Sequence, residues 1–185
     1  MVADIQLVTQ ALRFAAEKHV DQRRKGMRKE PYLNHLAEVA DLLAEATEGE
    51  DPELVAAGLL HDAIEDVGAT REELETLFGP DVANLVVEVT DDKALPKAER
   101  KRLQVERTPH KSSRAKMIKI ADKISNLRAL ASSPPDDWSE ERVAQYVAWA
   151  ERVVEGARGV SPWLERQFDD LVRARCQTSR AQAST

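Results

Sequence analysis

An apolar stretch that ends directly in a polar pair constrains the fold of this chain more than any other feature. Residues 54–60 read LVAAGLL, and His61 and Asp62 follow at once. A segment this apolar is expected to be buried, so it leads the polar pair towards the interior. Burying a carboxylate costs several kcal/mol unless a partner or a metal ion compensates it. The sequence therefore predicts a buried helix that ends at a polar site.

A second acidic pair, Glu65 and Asp66, follows one helical turn after the first pair. Residues four apart lie on one helical face, so we expect His61 beside Glu65 and Asp62 beside Asp66. Four groups able to bind a metal ion or transfer a proton would then share one edge of a single helix. A solvated helix end that happens to carry a histidine explains this stretch, taken alone, equally well.

Two further candidate ligands lie in separate helical patterns. His35 heads an amphipathic stretch, and Asp122 lies in a strongly apolar one, where an acid is expected to have a partner. With His61 and Asp62 they would form a set of two histidines and two carboxylates from three helices. Imidazole and carboxylate ligands suit a divalent ion such as Mn, Fe or Zn. The single cysteine of the chain excludes a thiolate site.

The order of these residues resembles that of the HD-domain metal-dependent phosphohydrolases. More narrowly, four segments resemble the hydrolase domain of RelA/SpoT enzymes, and above all its small stand-alone alarmone hydrolases of the metazoan SpoT type: RRKGMRKEPYLNH, LLHDAIEDV, FGPDVANLVVEVTDDKALPKAERKRLQ and KIADKISNLR. The resemblance extends from about residue 3 to about residue 168. It implies an all-α HD-domain bundle with a central metal site. The implied activity removes the 3′-pyrophosphate of guanosine (p)ppGpp, giving GDP or GTP plus pyrophosphate.

The resemblance also implies a role for each candidate residue. The metal ion, expected to be Mn²⁺ although other divalent ions are possible, would be bound by His35, His61, Asp62 and Asp122. Proton transfer and water orientation would fall to Glu65 and Asp66. Of two basic clusters, at residues 23–29 and 93–102, most members are expected to be a solvated face. The residues expected to contact substrate are Arg24, Lys25, Lys97 and Asn126.

Two positions depart from the family pattern. Leu36 follows His35, where proline is common, and should alter the entry to the helix without removing the ligand. Ser125 stands where relatives often have a larger His or Tyr side chain. We expect the smaller serine to enlarge the substrate pocket and loosen selectivity for the base.

The apolar spacing indicates helix nearly everywhere, so the sequence predicts one all-α domain over residues 3–175 and a frayed tail over residues 176–185. Asp51 followed by Pro52 is typical of a helix start. Thr70 and Glu73 predict a capped short helix ending before Gly79. The stretch 82–89, VANLVVEV, could be a strand, but its apolar spacing favours a helix.

Composition and net charge limit the classes of partner that this chain is expected to bind. The 185 residues carry a net charge of −6 with a pI near 5.4, which argues against a nucleic-acid polymer or a membrane surface as partner. The chain has no apolar run of about 18 residues and no signal-peptide pattern, so a cytoplasmic protein is expected. The expected partner is a small molecule, guanosine tetra- or pentaphosphate; the sequence does not indicate an oligomeric state. The alternatives are an HD-class phosphatase or nucleotidase acting on NADPH or deoxynucleotides, and a non-catalytic nucleotide-binding module.

Overall fold

The computed structural model describes the backbone of residues 2–183 and the side chains of residues 4–177. Over that part of the chain the α-helices are α1 Val2–Lys18, α2 Leu33–Ala46, α3 Pro52–Leu60, α4 Ala63–Val67, α5 Arg71–Val89, α6 Lys97–Arg107, α7 Ser113–Ser132, α8 Glu140–Glu155 and α9 Pro162–Ala183. A short 3₁₀ helix, Thr108–His110, follows α6. The same residues include no β-strand, and a single isolated bridge joins Arg23 to Pro31. The all-α prediction is confirmed.

Helices α2 and α3 form a closely packed antiparallel pair. His35 is the third residue of α2, and His61 directly follows the last residue of α3, so both lie at the same end of the pair. Gly58 allows the close approach, because a Cβ atom there would lie 2.5 Å from Cδ1 of Leu43. The antiparallel packing thus brings two distant histidines together.

Two central helices carry most of the core. Every residue of α3 from Leu54 to Leu60 is buried, and α3 packs against α1, α2 and α5. Helix α7 packs against α2, α8 and α9, and its predicted inner face is buried: Met117, Ile120, Ile124 and Leu127. Asp122 therefore approaches the end of the α2–α3 pair from a third helix. By contrast, α6 has no buried residue and packs mainly against α8 and the 3₁₀ helix.

Two predicted helix starts, at Asp51 and Thr70, agree with the structure. Asp51 caps α3, since its Oδ1 accepts from the N–H of Leu54 at 3.0 Å. Thr70 caps α5 through the N–H of Glu73 at 3.1 Å. Within α5, Gly79 has φ 86° and ψ 166°, a conformation that glycine adopts without strain, and it interrupts the helix before Pro80. The stretch 82–89 is helical, as its apolar spacing predicted.

The C-terminal helix extends beyond the predicted domain boundary. Helix α9 continues to Ala183, and residues 184 and 185 lie outside the described part of the chain. The domain limits of 3–175 and the fraying of residues 176–185 stay predictions. Among the described residues, every helix is too short or too polar to cross a bilayer.

Two substitutions of Asp51 separate its cap from its ion pair with Arg114, whose Nη2 lies 2.6 Å from Oδ1. Asp51→Ala removes both and should lower the free energy of unfolding by about 1–2 kcal/mol. Asp51→Asn keeps an oxygen acceptor for the Leu54 N–H and loses only a partly exposed ion pair, worth less than about 1 kcal/mol. Urea denaturation followed by circular dichroism measures both losses. Equal losses would contradict the cap.

Candidate active site

Three candidate ligands converge where α2, α3 and α4 meet. One ligand atom from each of His35, His61 and Asp62 lies within 4.8 Å of the others. His61 Nε2 is 3.1 Å from Asp62 Oδ2, and His35 Nε2 is 3.8 Å from the same oxygen. The two imidazole rings meet edge to face, with centroids 5.2 Å apart. Residues 26 positions apart in the chain thus form one compact cluster of nitrogen and oxygen donors.

The prediction of a single helix through this motif is wrong. Helix α3 ends at Leu60, and α4 begins at Ala63. Neighbouring residues of a continuous helix point about 100° apart, so adjacent His61 and Asp62 could not aim at one point. At the break, His61 Nε2 and Asp62 Oδ2 lie 3.1 Å apart, while the backbone carbonyl of Asp62 still accepts from the N–H of Asp66 at 2.8 Å.

Hydrogen bonds to the far ring nitrogens orient both histidines. His61 Nδ1 lies 2.7 Å from the carbonyl oxygen of Gly58, which can only accept, so this nitrogen carries the proton. His35 Nδ1 lies 2.8 Å from the hydroxyl of Ser125. The buried His61 Nε2 lies 3.1 Å from Asp62 Oδ2 but makes no well-directed hydrogen bond with any described residue. An imidazole nitrogen placed in this way against a carboxylate fits a divalent cation.

Asp122 adjoins the cluster through His35. Its Oδ1 is 3.5 Å from His35 Nε2 and accepts from Nδ2 of Asn126 at 2.6 Å. Its Oδ2 accepts from the buried ammonium of Lys123 at 2.7 Å. Burial would raise the pKa of Asp122, but Lys123 and both histidines outweigh it and lower that pKa to about 2. The structure therefore brings all four predicted metal ligands together, with Asp122 at the edge of the tighter group of three.

Opposite shifts in the two histidine pKa values follow from their surroundings. Burial and the neighbouring His61 lower the pKa of His35 to about 3. Burial also disfavours the charged form of His61, but attraction to Asp62 is stronger and raises its pKa to about 9. Burial acts against the Asp62 carboxylate too, yet the charge of His61 holds its pKa well below the usual range. In the metal-free protein, the His61 proton thus partly compensates the buried acid.

Tyr32 completes this environment. Its hydroxyl donates to Asp62 Oδ2 at 2.6 Å, and its ring contacts those of His19 and His35. Burial and the nearby Asp62 raise the pKa of Tyr32 far above its usual value, so it stays a neutral donor. The sequence left Tyr32 undecided between the pocket and the core, and the structure places it against a candidate ligand.

The second acidic pair is held by basic partners that the sequence did not assign. Glu65 Oε1 is 3.1 Å from Nη1 of Arg100, on α6. Burial and the nearby carboxylates of Asp62 and Asp91 raise the pKa of Glu65. Asp66 Oδ1 accepts from the ammonium of Lys93. The pairing of His61 with Glu65 that helical spacing suggested is replaced by contacts from other segments.

The amide of Gln22 also holds Asp66. Gln22 Nε2 donates to Asp66 Oδ2 at 2.7 Å, and Gln22 Oε1 lies 2.6 Å from Nδ1 of the buried His19. His19, which had no partner in the sequence pattern, therefore belongs to the surroundings of the site. The positions of Gln22 and His19 beside a basic loop gave no periodic signal that could have linked them to Asp66.

Of the predicted substrate residues, Arg24 and Asn126 are linked to the cluster, and Lys25 and Lys97 lie near each other. Arg24 Nη2 donates to Oδ1 of Asn126 at 3.1 Å, which links the first basic cluster to Asp122. Lys25 and Lys97 are mostly exposed, and they lie close enough for the charge of Lys25 to affect Lys97. Burial and the positive charges of Lys25, Arg142 and Arg100 lower the pKa of Lys97. Arg142, whose guanidinium lies 4.6 Å from the ring centroid of Trp138, is a basic neighbour that the sequence analysis missed.

Ser125, which was expected to enlarge the substrate pocket, does not itself line the neighbouring cavity, and its effect on the pocket stays a prediction. It is fully buried behind His35, and its hydroxyl donates to Oε2 of Glu38 at 2.6 Å. The cavity on this side has a volume of about 160 Å³ and is lined by Arg24, His35, Glu38 and Arg128, among others. Leu36 is fully buried in the core and leaves His35 in place.

Comparison with known proteins identifies the family of this chain. A model of the HD domain family matches residues 11–150. A Xenopus tropicalis protein, named guanosine-3′,5′-bis(diphosphate) 3′-pyrophosphohydrolase MESH1, is 50% identical over 171 residues, covering 92% of this chain and 96% of the relative. This chain belongs to the HD domain family and to its MESH1 group.

Further relatives extend the match. The human MESH1 protein, which has the same enzyme name, is 48% identical over 166 residues, 90% of this chain and 93% of its own length. A solved structure described as a metazoan ortholog of SpoT that hydrolyses ppGpp is 47% identical, with a TM-score of 0.88 over 91% of this chain and 95% of that one. The resemblance to RelA/SpoT hydrolases is confirmed.

Metal binding should release the proton that His61 carries in the metal-free protein. This pKa is about 9, whereas a metal-bound imidazole must be neutral. Near neutral pH we expect about one proton released per divalent ion, and apparent affinity rising about tenfold per pH unit until the pKa is passed. Calorimetric titration with Mn²⁺ in buffers of different ionisation enthalpy counts the protons. Binding without proton release near neutral pH would show that His61 is already neutral.

Proposed function

We propose that this protein is a (p)ppGpp hydrolase that removes the 3′-pyrophosphate of the guanosine nucleotide and leaves GDP or GTP. The observation that carries the proposal is the buried His35–His61–Asp62 cluster. It lies in a chain that is 48–50% identical to MESH1 pyrophosphohydrolases over most of its length. Its partner is then a small nucleotide, and we place the reaction in the cytoplasm.

The donor set supports a divalent metal ion, and we propose Mn²⁺. Two imidazoles and two carboxylates, from His35, His61, Asp62 and Asp122, would hold it. When bound, the ion supplies a Lewis acid that acidifies water and polarises phosphoryl oxygens. The Gly58 carbonyl and the Ser125 hydroxyl keep the coordinating nitrogens directed inward.

Glu65 is suited to proton transfer. Its raised pKa brings it closer to the operating pH, where a general acid or base is most effective. Arg100 holds one carboxylate oxygen, which limits the directions in which the side chain can point. Asp66, fixed by Gln22 and Lys93, orients water or the leaving group. We assign Glu65 and Asp66 as the catalytic pair.

The basic residues offset the charge of the substrate. Lys97 is repelled by Lys25, Arg142 and Arg100, so a ligand with several phosphates would relieve this repulsion. By the family resemblance, Arg24 and Lys25 would bind one phosphate group and Lys97 the other, and Asn126, which donates to Asp122, would bind the ribose or a phosphate. A polyanion would thus extend from the first basic cluster to Lys97.

The reaction is balanced with one water. The water oxygen attacks the phosphorus bonded to the ribose 3′ oxygen, and the bond from that phosphorus to the 3′ oxygen breaks. The acidic pair accepts a proton from water and returns one to the departing 3′ oxygen. Lysine and arginine side chains stabilise the charge that accumulates on the phosphoryl oxygens in the transition state. The products are GDP, or GTP from the pentaphosphate, and pyrophosphate.

Product analysis tests the substrate and the metal together. The purified protein should convert ppGpp to GDP and pyrophosphate with Mn²⁺, and a chelator should abolish the reaction because the cluster loses its ion. NADPH and deoxynucleotides serve as parallel substrates under the same conditions. Turnover of either in preference to ppGpp would replace the proposed substrate and keep the HD-type chemistry. Nucleotide binding without turnover of any substrate would indicate a binding module.

Substitutions should separate metal binding from proton transfer. Asp62→Ala should lose both the metal and turnover, because it removes a proposed metal ligand whose Oδ2 lies near the Nε2 atoms of both histidines. Glu65→Gln should keep the metal and lower kcat by about 10²-fold or more. Metal content by plasma mass spectrometry and steady-state kinetics measure the two effects. Glu72→Gln, which alters an exposed acid on α5, is the matched control. Parent turnover in the Glu65 variant would remove it from the catalytic pair.

A further inference from the structure

A chain of polar side chains runs behind His35, on the face opposite Asp62 and Asp122. His35 Nδ1 is 2.8 Å from the Ser125 hydroxyl, which is 2.6 Å from Oε2 of Glu38. The other carboxylate oxygen, Oε1, accepts from Nη1 of Arg128 at 3.1 Å. Arg128 in turn donates to Oε1 of Gln167 on α9 at 3.3 Å. The chain therefore links α2, α7 and α9 to one imidazole.

The direction of each hydrogen bond follows from what the groups can donate. A guanidinium only donates and a carboxylate only accepts, so Glu38 accepts from both neighbours. The Ser125 hydroxyl must point its single proton to Glu38, because two acceptor oxygens 2.6 Å apart would repel without a proton between them. The serine oxygen then accepts from His35 Nδ1, so the ring proton sits on Nδ1. His35 Nε2 is left with a free lone pair that faces Asp62 and Asp122.

We propose that Glu38 and Ser125 are positioning residues that set the tautomer of His35 and thereby its capacity to bind a metal ion. Without them, the carboxylates of Asp62 and Asp122 would attract the ring proton to Nε2, where it blocks coordination. A hydrogen bond to the far nitrogen of a ligating histidine fixes its tautomer and orientation, and losing it typically costs 10–100-fold in metal affinity. This inference rests on the proposed metal site and is independent of which nucleotide is hydrolysed.

The small Ser125 side chain lies between His35 and Glu38. Ser125 is fully buried, yet the hydroxyl reaches both His35 and Glu38. At this position the family resemblance leads us to expect a larger His or Tyr. The serine oxygen accepts the proton on His35 Nδ1. The carboxylate of Glu38, one turn along α2 from His35, accepts the proton of the serine hydroxyl. We call this hydrogen-bonded series, His35–Ser125–Glu38, the relay.

Glu38→Gln tests the direction of the relay with little change in shape. Arg128 can only donate, so the new amide would turn its oxygen to Arg128 and its nitrogen to Ser125. The serine would then accept from the amide and donate to His35 Nδ1, which moves the ring proton to Nε2. We expect a 10–100-fold weaker affinity for Mn²⁺, measured by competition calorimetry. At saturating Mn²⁺, kcat should return to near the parent value.

Nitrogen chemical shifts report the tautomer directly. The chain has four histidines, so ¹⁵N-histidine labelling gives few signals in the metal-free protein. The parent should show the Nδ1–H form of His35, and Glu38→Gln the Nε2–H form. Ser125→Ala removes the hydroxyl and should weaken metal binding to a similar extent with the same tautomer shift. It also keeps the test valid if the glutamine variant does not fold.

The matched control is Asp41→Asn, which removes one carboxylate from an exposed position on the same helix. It should leave both the tautomer and the affinity for Mn²⁺ unchanged. Parent affinity in both relay variants would overturn the proposal, as would weaker affinity with an unchanged His35 tautomer, which would indicate a packing effect alone. Because the readouts are metal affinity and ring protonation, failure of the enzyme to hydrolyse ppGpp would count against the proposed function and not against the relay.

Discussion

The mutual compensation of buried charge at the meeting point of three helices is the interaction on which the rest of this structure depends. His35, His61, Asp62 and Asp122 come from three segments, and each would be costly to bury alone. Lys123, Tyr32, Ser125 and Asn126 supply the remaining donors and acceptors. The antiparallel packing of α2 on α3 brings the polar ends of two apolar helices to one point. A cation at that point would complete the compensation and link folding to metal binding.

Much of this site could be predicted because its residues stand out against apolar surroundings. A histidine or an acid within a buried helical face has few explanations, so His35, His61, Asp62 and Asp122 were identified from pattern and resemblance. Helix starts at Asp51 and Thr70 were equally clear, since capping needs only a local side chain. The interruption between α3 and α4 was not predictable from periodicity. It lies where two adjacent residues converge on one point, a tertiary arrangement that the spacing of apolar residues does not report.

The partners of the acidic pair illustrate what a single sequence does not reveal. Gln22, Lys93 and Arg100 come from three different segments and lie on polar stretches that are typical of solvated surfaces. Their contacts depend on how α4 is placed against the loop after α1 and against α6. Ser125 shows the same limit: its small size suggested more space for the substrate but gave no sign of the contact with His35 that the structure contains. The effect of a side chain's size can be interpreted only once the residues that it contacts are known.

The packing of α6 gives the two sides of the active site different sensitivities to the solvent. This helix has no buried residue, so polar and ionic contacts such as that between Arg100 and Glu65 determine much of its position. The histidine side rests instead on α3, where every residue from Leu54 to Leu60 is buried. Ionic strength screens charge pairs, less so where they are partly buried as Arg100 and Glu65 are, and leaves apolar packing intact. We therefore expect the cluster of ligands to be less sensitive to salt than the segment that carries Lys97 and Arg100.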